Sequence, residues 1–129
     1  MTLAITPIYA AIIAILMAVL STRVGFLRGR HGVALGDGGN RDMALAVRRF
    51  GNLSEYAAMA VVVLLLLELT GTPAVWLHAY GAALVVFRLL HTAILFDDMA
   101  APAWKKAGRA VSAGGTALLL VAGAVALIL

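Results

Sequence analysis

Four long apolar runs alternate with short polar stretches along the chain. A helix crosses a membrane when it carries about 20 consecutive, mainly apolar residues. By this criterion the runs predict four spanning helices, at about 3–24, 42–70, 74–97 and 107–129. The second run is apolar only from Tyr56 to Thr70, so its helix is expected to begin earlier, near Asp42, with polar first turns. The pattern therefore predicts a single four-helix bundle over residues 1–129.

The composition makes lipid the solvent for much of this surface. Of 129 residues, 64% are hydrophobic and 12% are charged, and the mean hydropathy is +1.03. A soluble domain has about 45–50% apolar and about 25% charged residues, so the sequence predicts an all-α integral membrane protein. Cysteine is absent, which excludes disulfides and thiolate ligands. No metal-ligand motif occurs, and neither a metal nor nucleic acid is expected as a partner.

Basic residues flank only two of the three connections. They are Arg23, Arg28, Arg30, Arg41, Arg48 and Arg49 around the first, and Lys105, Lys106 and Arg109 around the third. The connection between the second and third helices, GTPAVWLH, has no lysine or arginine. Because lysine and arginine mark cytoplasmic loops, both termini are expected outside and both basic connections in the cytoplasm. The first run precedes its arginines, the reverse of a signal peptide, and is interpreted as a retained helix.

Two sets of polar residues interrupt the second and third runs. Arg48, Asn52 and Glu55 recur at i, i+4 and i+7, which places them on one helical stripe. Arg88 and His91 recur at i and i+3 and also share a face. Both sets lie toward the same end of their helices, where a mixed-charge pocket would suit a zwitterionic, peptide-like ligand with more than one carboxylate.

A simpler interpretation of the same residues stays open at this point. The arginines of the second helix would anchor in lipid headgroups, and Glu55 would pair with Arg88 between helices. Glu68, near the other end of the second helix, is interpreted as an incidental interfacial carboxylate. His31 and His78 are expected in loops.

With these motifs the chain resembles the MAPEG proteins, membrane-associated proteins in eicosanoid and glutathione metabolism. The resemblance rests on Arg48-x-x-x-Asn52-x-x-Glu55 at the start of the second helix and Arg88-x-x-His91 in the third. It implies a homotrimer that binds glutathione between subunits near the cytoplasmic side. The candidate glutathione contacts are then Arg48, Asn52, Glu55, Arg88 and His91, with Arg28 or Arg23 reaching the tripeptide from the end of the first helix. The short loops are typical of the bacterial branch, which implies a bacterial inner membrane.

The resemblance also implies chemistry at the glutathione thiol. An arginine early in the fourth helix stabilises the thiolate in some members, and Arg109 is the counterpart here. A thiol of pKa about 8.5 becomes a stronger nucleophile near neutral pH when a cation stabilises its thiolate. The expected activity is that of a glutathione transferase or peroxidase acting on a lipophilic second substrate. Arg109 is also read as a topology-setting cation like Lys105 and Lys106.

One departure keeps other functions open. Several members have a tyrosine seven residues after the arginine of the third helix, and this chain has Leu95 there. A non-catalytic binding or scaffold protein of the same fold is therefore the main alternative. A small multidrug transporter is less favoured, because such proteins resemble one another in a carboxylate inside the first helix and this one has none. Small residues of the fourth helix, from Ala110 to Ala126, permit close packing within or between subunits.

Overall fold

A computed structural model describes residues 3–96 and 98–129 of the chain. The described residues form four α-helices: α1 (Thr6–His31), α2 (Arg41–Leu69), α3 (Ala74–Ile94) and α4 (Ala103–Ile128). All four are long and apolar enough to cross a membrane. The protein is thus an all-α, four-span integral membrane protein, as the sequence predicts.

The ends of the helices differ from the sequence expectation by several residues. α1 continues to His31, seven residues past the expected end, and stops at Gly32 (φ 64°), whose N–H bonds to the carbonyl of Arg28. A left-handed glycine is a common helix stop. α4 begins at Ala103, directly after Pro102 and four residues before the expected start. The helices therefore extend beyond the apolar runs. Charged turns outside the hydrocarbon stay helical because the helix supplies hydrogen-bond partners for their backbone N–H and C=O groups.

A side chain caps the start of α2, and a glycine in a left-handed conformation follows its end. The Asn40 side chain accepts a hydrogen bond from the backbone N–H of Met43 at 3.0 Å, which caps the first turn. At the other end, Gly71 takes φ 85° after the last helical turn. α3 follows immediately, and His78 lies in it and not in a loop, with its Nδ1 2.9 Å from the Tyr9 hydroxyl. His31 is likewise helical, as the last residue of α1.

The two central helices, α2 and α3, carry the core. α1 and α4 each pack against both of them and do not contact each other within the described residues. Leu53, Ala57 and Leu84 are fully buried between these layers. Two glycines of α4 allow close approach inside the subunit, since a Cβ at Gly115 would meet the Phe87 ring at 2.5 Å and one at Gly123 would meet Val63 at 2.4 Å. Gly114 has nothing within 4 Å and lies on the outer face of α4.

Glu68 joins the end of α2 to the start of α1. Its carboxylate accepts hydrogen bonds from the backbone N–H groups of Ala4 (2.7 Å), Ile5 (2.8 Å) and Thr6 (2.6 Å). These donors lie at the N-terminus of α1, from two residues before the helix to its first residue, where no intrahelical acceptor exists and a negative charge is favoured. Glu68 is therefore a structural clasp and not the incidental carboxylate that its position in the sequence suggested.

Candidate functional site

The polar candidates collect at one end of the bundle, where α1 and α3 end and α2 and α4 begin. We call this the basic end, because every lysine and arginine except Arg88 lies in its loops or in the adjoining helical turns. Glu68 and His78 lie at the opposite end. The basic end is therefore the place where charged ligands and charged side chains can meet.

Arg88 lies inside the bundle near this end, with a side chain only 2% exposed. Its Nη1 donates to Oδ1 of Asn52 at 3.0 Å, and its Nη2 donates to the Ser112 carbonyl at 3.0 Å and to the Thr116 hydroxyl. The Tyr56 ring lies beside the guanidinium, 5.7 Å from it. One side chain of α3 thus fastens α2 and α4 together.

Within residues 3–96 and 98–129, all the groups that bond Arg88 are neutral. The interhelical pair between Glu55 and Arg88, one reading of the sequence, does not form. Glu55 instead pairs with Arg48 along α2, at 3.4 Å. The charge of Arg88 is therefore stabilised by carbonyl and hydroxyl oxygens and by an aromatic face.

His91 belongs to the same buried network. It is 4% exposed, and its Nδ1 lies 3.2 Å from the hydroxyl of Ser112, which is itself fully buried. Ser112 is also 3.2 Å from the backbone carbonyl of Arg109, one turn earlier in α4. Arg88 bonds the backbone carbonyl of the same Ser112, so two candidates of α3 share one residue of α4.

Arg48 and Glu55 form the solvent-facing part of the site. Their side chains are 58% and 54% exposed, and they border an open cavity of about 360 Å³. Its other walls come from the first loop and from the small residues of α2, namely Gly36, Asp37, Ala44, Val47 and Gly51. The cavity lining therefore carries one cation, Arg48, and two anions, Glu55 and Asp37.

Asn52 lines a second, smaller cavity, which shares no lining residue with the cavity of Arg48 and Glu55. Asn52 is 8% exposed and lines this cavity, of about 70 Å³, together with Tyr56 and Arg88 from the inside and with Ala113 and Ala117 of α4. Tyr56 is 40% exposed. Polar side chains therefore reach the surface between α2 and α4, beside the apolar outer face of α4.

The remaining candidates are less closely engaged. The Arg109 guanidinium lies over the Phe96 ring, 5.1 Å from its centre, and Arg109 itself is exposed. Arg28 donates to the carbonyls of Ala34 (3.0 Å) and Val33 (3.4 Å), so its described bonds close the first loop. Leu95 is 7% exposed and follows the last residue of α3, where its carbonyl accepts from Arg49 at 3.4 Å. The expected tyrosine position thus holds a buried apolar side chain.

Three residues of this site were not found from the sequence: Tyr56, Ser112 and Thr116. Ser112 and Thr116 are both fully buried, and their i, i+4 spacing within the otherwise apolar stretch 110–128 is the sequence signal that could have found them. Arg109, Ser112 and Thr116 follow at i, i+3 and i+7, so they share one face of α4. Among the described residues, no group of three or more His, Asp or Glu side chains is arranged to hold a metal ion.

Fold and site together define a small four-span membrane protein with a polar, arginine-rich site at one end of its bundle. The sequence profile of the MAPEG family matches residues 6–128, and the chain belongs to that family. It is similar to the inner membrane protein YecN of Escherichia coli K12 and of E. coli O6:H1 strain CFT073. Each is 36% identical over 87 residues, which are 67% of this chain and 66%, just under two thirds, of the relative. No solved structure matches.

Proposed function

We propose that this protein binds glutathione at the basic end and joins it through its sulfur to hydrophobic electrophiles, or uses its thiol to reduce lipid hydroperoxides. The observation that carries the proposal is the geometry of α2 at this end. The exposed Arg48–Glu55 pair borders an open cavity, and Asn52, which lies between them along α2, bonds the buried Arg88. Membership of a family named for glutathione and eicosanoid metabolism supports the choice of ligand.

The chemistry of glutathione matches these groups. The tripeptide carries two carboxylates, one ammonium and two peptide groups. Arg48 supplies a planar, charge-assisted donor for a carboxylate, and Glu55 supplies an anion for the ammonium. Asn52 is placed for a peptide or carboxylate oxygen, with Arg88 bonded behind it, and His91 shares Ser112 with Arg88. Arg28, whose described bonds are with its own loop, would reach the tripeptide from a neighbouring subunit.

Arg109 is the group that we assign to the thiol. A guanidinium stays charged at any pH that the protein meets, so it stabilises a thiolate without titrating. The thiolate sulfur would form a bond to an electrophilic carbon as a leaving group departs or a double bond opens. With a hydroperoxide it would take the terminal oxygen, which breaks the O–O bond, releases the alcohol and leaves a sulfenic acid that a second glutathione reduces to the disulfide and water. Both kinds of substrate dissolve in the bilayer, and the site opens beside the apolar face of α4.

Assembly and topology follow the same reasoning. The outer face of α4 carries small, exposed residues at Ala110, Ala113, Gly114 and Ala117, which would let a neighbouring subunit approach closely. We therefore propose a homotrimer with the site at the subunit boundary. The relatives are named as inner membrane proteins; we assign this chain to a bacterial inner membrane, with the basic end in the cytoplasm and both termini outside.

Glutathione binding is tested by calorimetric titration of the purified, detergent-solubilised protein. Saturable binding is expected, with a near-ultraviolet thiolate band that grows with occupancy. Arg48→Ala should weaken binding about tenfold or more, since it removes a charge-assisted contact. Arg30→Ala is the matched control, because it removes an equal charge at the same end without touching the cavity. Folded wild-type protein that fails to bind millimolar glutathione would exclude the proposal.

Leu95 favours a second candidate, a binding protein without catalysis. A buried leucine cannot donate a proton or a hydrogen bond to a thiol. Such a protein would bind glutathione or a lipid and show no turnover with any electrophile or hydroperoxide. Steady-state conjugation and peroxide assays decide between the two, and Arg109→Ala would then have no rate to reduce.

A further inference from the structure

Thr116 holds one edge of a buried arginine. Its hydroxyl accepts a hydrogen bond from Nη2 of Arg88 and donates to the carbonyl of Ser112 at 2.9 Å. Both Thr116 and Ser112 are fully buried. Because the hydroxyl proton is already committed to Ser112, its lone pair has a fixed direction, and the guanidinium has a fixed partner.

The fixed guanidinium has a consequence for Asn52. A guanidinium only donates, so the atom of the Asn52 amide that meets Nη1 at 3.0 Å must be its oxygen. The N–H donors of the same amide are then turned away from Arg88. Asn52 also lines the small cavity beside Tyr56. Because the amide oxygen of Asn52 already accepts from Arg88, the amide N–H is the group that can bond a ligand in this cavity.

We propose that Thr116 is a positioning residue of the glutathione site. It orients Arg88, and Arg88 orients Asn52 as a hydrogen-bond donor toward a carbonyl or carboxylate oxygen of the tripeptide. The inference rests on the proposed function for the identity of the ligand. It also assigns Arg88 a role through Asn52 and not by direct contact, in keeping with its 2% exposure.

Loss of the Thr116 hydroxyl would leave a buried charged donor without its acceptor. A group in that state costs free energy until it finds another partner. The guanidinium is expected to turn toward the remaining carbonyl of Ser112, and the Asn52 amide loses its fixed orientation. Thr116→Val makes this change with almost no change of volume, whereas Thr116→Ser keeps the hydroxyl.

The first experiment needs no ligand. The side-chain amide resonance of Asn52 is recorded by NMR in the purified, detergent-solubilised full chain. It should move in Thr116→Val and stay in place in Thr116→Ser. Thr6→Val is the matched control, because Thr6 is also buried, at 5% exposure, but lies at the opposite end of the bundle. A resonance that does not move in folded Thr116→Val would overturn the positioning role, whatever the ligand.

The second experiment measures glutathione affinity by calorimetry. Thr116→Val should weaken binding about threefold to tenfold, the range that one hydrogen bond provides, and Thr116→Ser should restore it. In an Asn52→Ala background, Thr116→Val should cause no further loss, because the two residues act in series. Independent, multiplicative losses would overturn the relay. Wild-type protein that binds no glutathione would instead refute the proposed function, while the NMR result would still decide the positioning of Asn52.

Asn52→Asp provides a variant that is expected to fold. A carboxylate at this position keeps the contact to Arg88 and compensates its charge, so the midpoint of thermal unfolding should rise. It has no N–H to donate, so glutathione affinity should fall about tenfold or more. A merely structural role of Arg88 and Asn52 would move both quantities in the same direction. Unchanged affinity in the more stable variant would overturn the assignment of Asn52 as a donor.

Discussion

At the scale of single residues, four charged side chains of α2 and α3 have described partners that explain them. Glu68 bonds the N-terminus of α1, Arg88 bonds two neighbouring helices, and Arg48 and Glu55 bond each other. Charged groups at membrane depth are costly unless a protein interior satisfies them. Glu68 and Arg88 therefore stabilise the fold. Of these four residues, Arg48 and Glu55 are the ones exposed enough to exchange their partner for a ligand.

Replacement of Glu68 tests whether this residue stabilises the fold without contributing to the ligand site. Glu68→Gln removes the charge that three backbone N–H groups of residues 4–6 share, so the midpoint of thermal unfolding should fall. Glutathione affinity should stay the same, because the site lies at the other end of the bundle. Glu55→Gln should show the opposite pattern, with weaker binding and little change in unfolding. Loss of binding in folded Glu68→Gln would contradict this division of roles.

Replacement of Arg109 tests its proposed role in stabilising the glutathione thiolate. Arg109→Ala should lower the rate of glutathione conjugation about tenfold to a hundredfold, because less of the bound thiol is ionised near neutral pH. The affinity for glutathione should change less than the rate, and the thiolate absorbance of the complex should fall in step with the rate. Lys106→Ala, which removes a nearby cation of the same basic turn, is the control. A rate that falls without loss of the thiolate band would assign Arg109 to substrate positioning.

At the scale of helices, the apolar runs were sufficient to predict the number of elements but not their ends. α1 extends to His31 through a segment with two glycines and two arginines, which the pattern could not distinguish from loop. The arrangement of polar residues was predictable in part, since Arg88 bonds Asn52 and His91 shares Ser112 with Arg88. Thr116 and the role of Glu68 were not, because their bonds join residues 28 and more than 60 positions apart, and local spacing carries no record of such contacts.

Two adjacent glycines of α4 allow a matched test of helix packing. A Cβ at Gly115 would meet the Phe87 ring at 2.5 Å, whereas Gly114 has open space. Gly115→Ala should therefore destabilise the folded protein by about 1–3 kcal/mol through overpacking. Gly114→Ala should be neutral or stabilising by up to about 1 kcal/mol, since alanine is the better helix former. Thermal unfolding in detergent measures both, and equal effects would contradict the described contact between α3 and α4.

At the scale of the whole molecule, α2 and α3 form a centre that α1 and α4 flank without touching each other within the described residues. The flanking helices are mostly exposed. In an apolar 18-residue stretch of each helix, 11% of the residues of α1 and 17% of those of α4 are buried, against 39% in each central helix. Large apolar surfaces of α1 and α4 therefore face lipid or another subunit. A site placed between α2 and α4 at one end of the bundle opens at this exposed surface, which is where a water-soluble thiol and a lipid-dissolved substrate can both arrive.

The orientation of the molecule can be tested with unusual freedom, because the chain has no native cysteine. Single cysteines are placed at Leu35, which is 87% exposed in the first loop, and at Ala74, the first residue of α3 at the opposite end. If the basic end is cytoplasmic, a membrane-impermeant maleimide should label Ala74→Cys and not Leu35→Cys in intact spheroplasts. Both should react after detergent lysis, which controls for accessibility. The reverse pattern would place the glutathione site outside, away from the cytoplasmic thiol pool, and would argue against a glutathione-dependent activity even if the purified protein bound the tripeptide.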